Sequence, residues 1–387
     1  MTNLFISNTK RITSYYSLSL GELCDDISNL ISSKSINSAS LDAHIKNTRN
    51  SAISPNVYIP VVEGIYPIPP RSCWQISSSC QFNKVNNFNF NLANAYSAED
   101  FFSKLRRYGK NINDGHLGIE SSGGLDSALI AIAFRYLGLD STLASIKYQR
   151  YEFRTENIIQ DRIKADSIKD IQISGDLAMV FSSLLTTPIH ILPSASSLYS
   201  NRHVQVANAC SHKGIKILLN GNGGDLLLCN DFRLESSLSN NFESYYLDDP
   251  WANNFIYKPR GIHYLSGFCL RRVLNSLHNM RIGKGEDVRK LWARDFFKKY
   301  LPIELSAYSY KSAFDGLTSE AVDIYADDIR YITRMAFDLT GHRLLSDKSI
   351  SNMISEFDDF DTDSKIIFYS AVSFSNWVYG LLRDGYI

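Results

Sequence analysis

Ser122-Gly-Gly-Leu-Asp-Ser127 stands between a short apolar segment, Leu117 to Ile119, and an apolar run of helical spacing, Ala128 to Leu137. A strand, a glycine turn and a helix in that order are the setting in which a phosphate-gripping turn is expected. The adjacent glycines Gly123 and Gly124 admit positive φ and bring successive N–H groups towards an anion, and the helix that follows adds the positive end of its dipole. Leu125 opens that helix, and the hydroxyls of Ser122 and Ser127 can donate to phosphate oxygens. Asp126 would repel a bare phosphate, so its presence asks for a divalent cation between the two, and magnesium is the expected ion. The same residues also suit a plain Gly-Gly turn capped by Ser and Asp, which many α/β proteins contain without a ligand.

Working outward, Ser141 to Tyr148 reads as a strand, Thr155 to Ala165, Gly175 to Leu185 and Asn201 to His212 as helices, and Ile215 to Leu219 as another strand. Alternation of this kind predicts an α/β fold with a doubly wound parallel sheet covered on both faces. Ligands of such sheets gather beyond the carboxyl ends of the strands. From about Leu234 the chain reads as mostly helical. Upstream, the first 55 or so residues are rich in Ser and Asn, with an amphipathic candidate helix around Leu20 to Ile31. Val57 to Ile76 has an extended, proline-punctuated pattern, Phe82 to Asn94 reads as loop and strand, and a helix is expected from about Ala98 to Tyr108. The boundary between a small N-terminal domain (1–97) and a large one (98–387) is placed near residue 97.

The length of 387 residues suits one large α/β domain plus a smaller one. Forty basic against 40 acidic residues leave a formal net charge of +0, which provides no field to draw in nucleic acid or an anionic membrane. No apolar stretch approaches a membrane span, and no signal peptide is legible, so the expected location is the cytoplasm. The six cysteines lack C-x-x-C spacing and read as free thiols, with no metal implied beyond magnesium.

Ile215 to Leu219 runs into a second glycine-rich turn, Asn220-Gly-Asn-Gly-Gly-Asp225. Asp225 is the natural second carboxylate: both acids are expected at strand tips of one sheet, where a single magnesium could gather them. With these two loops the chain resembles the synthetase domain of asparagine synthetase and its relatives, β-lactam synthetase, carbapenam synthetase and the lasso-peptide macrolactam cyclases. Ser122 to Ser127 matches the family's pyrophosphate loop and Gly221 to Asp225, through Asn222, Gly223 and Gly224, its second loop. Lys290 to Phe297, Leu301-Pro302, Lys311 and Phe314 resemble the family's lysine, arginine, Leu-Pro and second lysine before a phenylalanine. Val62 to Pro70 resembles the end of its glutaminase-type N-terminal domain.

The resemblance implies ATP cleaved between its α and β phosphates, AMP passed to a carboxylate, and attack of an amine on the acyl-adenylate to give an amide. It implies that Lys290 holds the pyrophosphate and that Lys311 neutralises charge on the adenylate and the tetrahedral intermediate. Loss of one such preorganised donor costs about 2.7–4 kcal/mol of barrier. Departures are also informative. Thr2 stands where glutamine-using members carry cysteine, and the N-terminal segment is about half the expected length, so glutaminase activity is not expected. Asn222 replaces the family's Glu or aromatic base and cannot take a proton near neutral pH; Glu243, near Tyr245 and Tyr246, is one candidate base. The family's arginine-containing substrate segment before Lys290 has no match here: Tyr264 to Asn279 fills its place with a different pattern, in which Arg271 and Arg272 are the candidate remnant. The doubled glycines Gly223 and Gly224 are closest to lasso cyclases. The expected function is therefore ATP- and magnesium-dependent macrolactam closure of a ribosomal peptide in antibiotic biosynthesis, with a protease or leader-binding protein as partner. Alternatives are an ammonia-dependent asparagine synthetase or other small-molecule amide synthetase, and a non-catalytic nucleotide-binding scaffold.

Overall fold

The computed structural model describes residues 4–8, 14–17, 22–24, 41–42, 45, 65–68, 72–76, 82–84, 97–99, 102–103, 116–150, 153–164, 169–188, 193, 195–222, 224, 228, 252–269, 290–307 and 315–385. The N-terminal strands are β1 (Leu4–Asn8), β2 (Ser14–Ser17), β3 (Glu22–Cys24), β4 (Ile65–Ile68), β5 (Ser72–Ile76) and β6 (Phe82–Lys84). They form two three-stranded antiparallel sheets, ordered β1-β5-β6 and β3-β2-β4. The helix expected around Leu20 to Ile31 is corrected at Glu22–Cys24, which pairs with β2, Tyr15 opposite Cys24 and Ser17 opposite Glu22; its other residues lie outside the described residues. Strand pairing with a neighbour four residues away decides the local structure over helical spacing.

The large sheet has five parallel strands, β7 (Leu117–Ser121), β8 (Thr142–Lys147), β9 (Lys169–Ser174), β10 (Ile217–Asn220) and β11 (His263–Ser266), ordered β11-β10-β7-β8-β9. With these strands and its helices the fold is α/β. The chain builds the sheet outward from β7 through β8 and β9, then crosses back to place β10 on the other side of β7. All five residues of β7 are buried, as a central parallel strand requires.

One face of the sheet packs Leu117, Ile119, Leu143 and Leu219 against α1 (Leu125–Tyr136), α2 (Arg154–Lys164) and, from far along the chain, α4 (Leu291–Phe296) and α5 (Ile303–Ala307). The other face packs Ala144, Ile146, Ile171 and Leu218 against α3 (Ser200–His212) and a π-helix at Ala252–Tyr257. Helix α1 buries every residue from Ala128 to Phe134, which is why its sequence is apolar all round. It stops in a Schellman closure, Leu139 N–H to Phe134 O and Gly138 N–H to Arg135 O.

Helices α6 (Asp315–Ile324), α7 (Ala326–Thr340), α8 (Asp347–Ser355) and α9 (Thr362–Arg383) form the C-terminal part around Ile329, Ile332, Ile350, Phe368 and Val372. Leu41 and Ile45 from the N-terminal part pack on α7 and α9.

The helix expected over Gly175 to Leu185 is also corrected. Only a 3-10 turn forms, at Gly175–Ala178, and turns follow. Phe181 breaks the helical path: its φ is +66°, its N–H donates to Leu198 O, and its ring is fully buried beside Phe368 and Tyr369. Two strands of the large sheet escaped the reading, β9 and β11, which are its two edges, and so did β1 and β2 in the N-terminal part. The helix expected from Ala98 to Tyr108 is helical at 98, 99, 102 and 103; its other residues lie outside the described residues. Among the described residues no helix is long and apolar enough to cross a membrane.

Candidate functional site

The strand order reverses between β7 and β10, and both glycine turns leave the sheet at that point. Beyond β7, Gly123 sits at φ +81°, and a Cβ there would lie 2.6 Å from the Glu156 carbonyl oxygen, so only glycine fits the turn. Gly124 is the N-cap of α1, and no side chain caps that helix. The serines close the turn on itself. Ser122 N–H donates to Ser127 Oγ (3.1 Å) and Gly124 N–H to Ser122 Oγ (3.2 Å). Ser127 Oγ in turn donates to Gly124 O (3.2 Å), which leaves Ser122 Oγ as the donor in the 3.1 Å hydroxyl pair. Leu125 is buried beneath the turn, anchoring it to the core.

The second turn leans directly on the first. A Cβ on Gly221 would lie 2.7 Å from Ser127 N, and one on Gly224 would lie 2.4 Å from Cγ and 2.8 Å from Oδ1 of Asp126. Any side chain at either position would separate the loops. Asn220 Oδ1 accepts from Asn222 N–H (2.9 Å), Gly224 N–H donates to Gly221 O (3.1 Å), and Ser266 Oγ donates to Asn222 O (2.6 Å), tying the loop to the tip of β11. Asn220 Nδ2 is buried with no hydrogen-bond partner among the described residues, a donor beside the loop junction.

Lys290 completes the cluster. Its Nζ donates to both carboxylate oxygens of Asp126 at 2.6 Å, with side-chain exposures of 9% for Lys290 and 19% for Asp126. It stands at the N-cap of α4 in the left-handed region, φ +56° and ψ +36°, which is unusual for a residue with a side chain. Trp292 Nε1 donates to Leu228 O (2.7 Å), pinning this segment to the chain that leaves the second loop. Arg294 donates to Leu305 O, while Pro302 O accepts from Leu305 and Ser306 N–H, so the Lys, Arg and Leu-Pro spacing describes two packed helices.

Of the expected site residues, Ser122, Gly123, Gly124, Leu125, Asp126, Ser127, Gly221, Asn222, Gly224 and Lys290 lie together here. Gly223, Asp225 and Lys311 lie outside the described residues, as do Phe314, Arg271, Arg272 and Glu243 with its tyrosines. The fit to magnesium can be tested on the donors present. Among the described residues no three His, Cys, Asp or Glu side chains converge, and Asp126 is the expected ligand that they include. Magnesium holds several waters and commonly takes one or two carboxylates plus phosphate oxygens, which suits one carboxylate beside an uncapped helix N-terminus.

Sequence reading missed a buried polar cluster directly under the turn. Glu120, next to last in β7, accepts from Arg202 Nη2 (2.7 Å) on α3 and from the Tyr264 hydroxyl (2.8 Å) on β11. Tyr264 stacks on Tyr257 with ring centres 4.1 Å apart, and the Tyr257 hydroxyl meets His203 Nδ1 at 3.2 Å. Burial by itself would raise the Glu120 pKa, but the charges of Arg202 and His203 and the bonds from Tyr264 and Arg202 outweigh it and hold the carboxyl below its ordinary value. Burial opposes the Arg202 charge, and Glu120 reverses that, so the Arg202 pKa is raised. The available signal was a lone acid inside an otherwise uncharged central strand. On α2, Gln160 Nε2 donates to Ser121 O (3.0 Å) and Ile146 O (3.2 Å), bracing the tips of β7 and β8. Comparison with protein-family models and with curated proteins finds no match to this chain.

Proposed function

We propose that this chain is an ATP-dependent amide synthetase that forms AMP and pyrophosphate and closes a macrolactam in a ribosomally made peptide. Its core is then a doubly wound ATP-pyrophosphatase-type domain with a helical C-terminal part, and the two small antiparallel sheets are the remainder of a glutaminase-like domain. One observation carries the reading: two glycine turns, from opposite sides of the strand-order reversal, press together around the Asp126 carboxylate with the Lys290 ammonium on it. Crevices at such reversals are where open parallel sheets take their ligands.

In this proposal the Ser122 to Ser127 turn and the N-terminus of α1 cradle the phosphates. Ser122 and Ser127 exchange their internal hydrogen bonds for phosphate oxygens. Asp126, with Asp225, would hold magnesium, which when bound supplies charge neutralisation on the leaving phosphates. Lys290 takes the departing pyrophosphate, and Lys311 stabilises the charge that develops on the acyl group. Asn222 has its N–H and carbonyl engaged by Asn220 and Ser266, so it shapes the loop, and the proton acceptor lies elsewhere.

The test is to incubate the purified chain with Mg-ATP and candidate peptides, following AMP by chromatography and the peptide by mass spectrometry. Peptide-dependent AMP formation with loss of one water from the peptide supports macrolactam closure. AMP formation driven by aspartate and ammonia points to the small-molecule synthetase instead, and nucleotide binding without AMP points to a scaffold.

A further inference from the structure

We propose that Asp126 accepts a divalent cation only together with an oligophosphate, because the Lys290 ammonium already neutralises its carboxylate. The inference rests on the phosphate-binding reading above and adds an obligatory coupling between its two ligands.

The geometry leaves Asp126 little freedom. Lys290 Nζ bonds both carboxylate oxygens at 2.6 Å. Behind the carboxylate the Gly224 backbone stands so close that even a methyl group would lie 2.4 Å from Cγ. Lys290 is equally fixed: its backbone is left-handed, its carbonyl accepts from Arg294 N–H (3.0 Å), and Trp292 anchors the next turn to Leu228 O. A cation arriving alone at Asp126 would have to share that mostly buried carboxylate with the Lys290 ammonium, placing like charges together where water screens them poorly. An oligophosphate arriving alone would meet Lys290 only with the Asp126 carboxylate beside it.

When both arrive, the pair exchanges partners. The cation takes Asp126, the phosphate takes Lys290, and every charge keeps an opposite neighbour. Linkage makes the effect reciprocal: the factor by which phosphate strengthens cation binding equals the factor by which the cation strengthens phosphate binding.

The experiment uses the full chain, Mn2+ followed by electron paramagnetic resonance as the cation probe, and inorganic pyrophosphate as the anion. Wild type is expected to bind Mn2+ at least roughly tenfold more tightly with pyrophosphate than without it. Lys290→Met is expected to raise the affinity for Mn2+ alone by about tenfold or more and to shrink the pyrophosphate effect. In a second arm, calorimetry in the absence of metal, Asp126→Asn is expected to bind pyrophosphate about tenfold more tightly than wild type. Equal affinity of wild type and Lys290→Met for Mn2+ alone overturns the proposal. So does pyrophosphate binding that Asp126→Asn leaves unchanged, an arm that stands even if Lys290→Met does not fold. Neither arm contains nucleotide or acyl substrate, so failure of the ligase reading appears as absent AMP formation with the coupling intact.

Discussion

Replacing Gly221 with alanine tests whether the two glycine turns must touch. The added methyl carbon would sit 2.7 Å from Ser127 N and 3.1 Å from both Asp126 C and Ser127 Cα. Comfortable separations for such atoms are about 3.5–4.0 Å, so the loops must part by roughly 0.8 Å or more. The obstructing atoms are backbone at the first turn of a helix buried from Ser127 to Phe134, which cannot swing aside as a side chain can. Overpacking of this kind costs about 1–3 kcal/mol, and each kcal/mol lowers the melting midpoint of a large domain by about 2–4 °C. On the proposed activity, a displacement near 1 Å at the first glycine turn is expected to reduce AMP formation on the order of 100-fold. Gly124→Ala is the internal control. A Cβ at Gly124 meets only Ser122 Oγ at 3.3 Å, and its backbone is extended at φ −80°. It is therefore expected to fold and to melt close to wild type. Differential scanning fluorimetry with and without Mg-ATP, alongside the AMP assay, reads both quantities. If Gly221→Ala melts and reacts like wild type, or if Gly124→Ala lowers the melting midpoint as far, the loop junction is not what organises the site.

The Glu120–Arg202 pair should behave as a buried ion pair. Arg202→Met leaves a buried carboxylate unmatched and is expected to cost about 3–5 kcal/mol in urea unfolding, most of it recovered in the Glu120→Leu/Arg202→Met double variant. Because the folded state lowers the Glu120 pKa, its contribution is complete above the ordinary carboxylate value and is lost as pH falls through the lowered one. The double variant should accordingly lose part of the wild-type decline in stability at acid pH, and identical acid limbs in the two proteins would contradict the assignment. Burial, reinforced by Glu120, pushes the Cys210 thiol up to about 12, so peptide mapping after neutral-pH alkylation should find Cys210 unmodified until the chain unfolds. Trp292→Phe keeps a ring but removes the donor to Leu228 O, and a loss of about 1–3 kcal/mol is expected from the stranded carbonyl, read as a lower urea midpoint.

Much of the sheet was legible because its central elements announce themselves in one dimension. Helix α1 is apolar all round, β8 is a β-branched apolar run, and a glycine pair separates β7 from α1. The elements that escaped are those whose identity is set by a neighbour. Strand β11 is four residues long and exists because it lies beside β10, Ile217 opposite His263 and Asn220 opposite Ser266. The stretch after Gly175 has helical spacing, yet Phe181 gives up helical dihedrals to bury its ring. At the site, sequence supplied the loops and Lys290 but not the partnership between Lys290 and Asp126, since spacing along a chain carries no sign of which distant charges will meet. Glu120 was passed over for the opposite reason: it lies inside the strand adjoining the motif, and only the structure shows Arg202 and Tyr264 waiting on either side of it.

The bond between Asp126 and Lys290 joins positions 164 residues apart. A ribosome emitting this polypeptide completes the first glycine turn long before the lysine that clasps it has been made. Until that lysine docks, the turn's carboxylate lacks this counter-ion. Contacts of such long sequence separation are slow to form, so acquisition of the clasp marks a late step of maturation, and an early-released fragment would carry the hexapeptide without the lysine that clasps it.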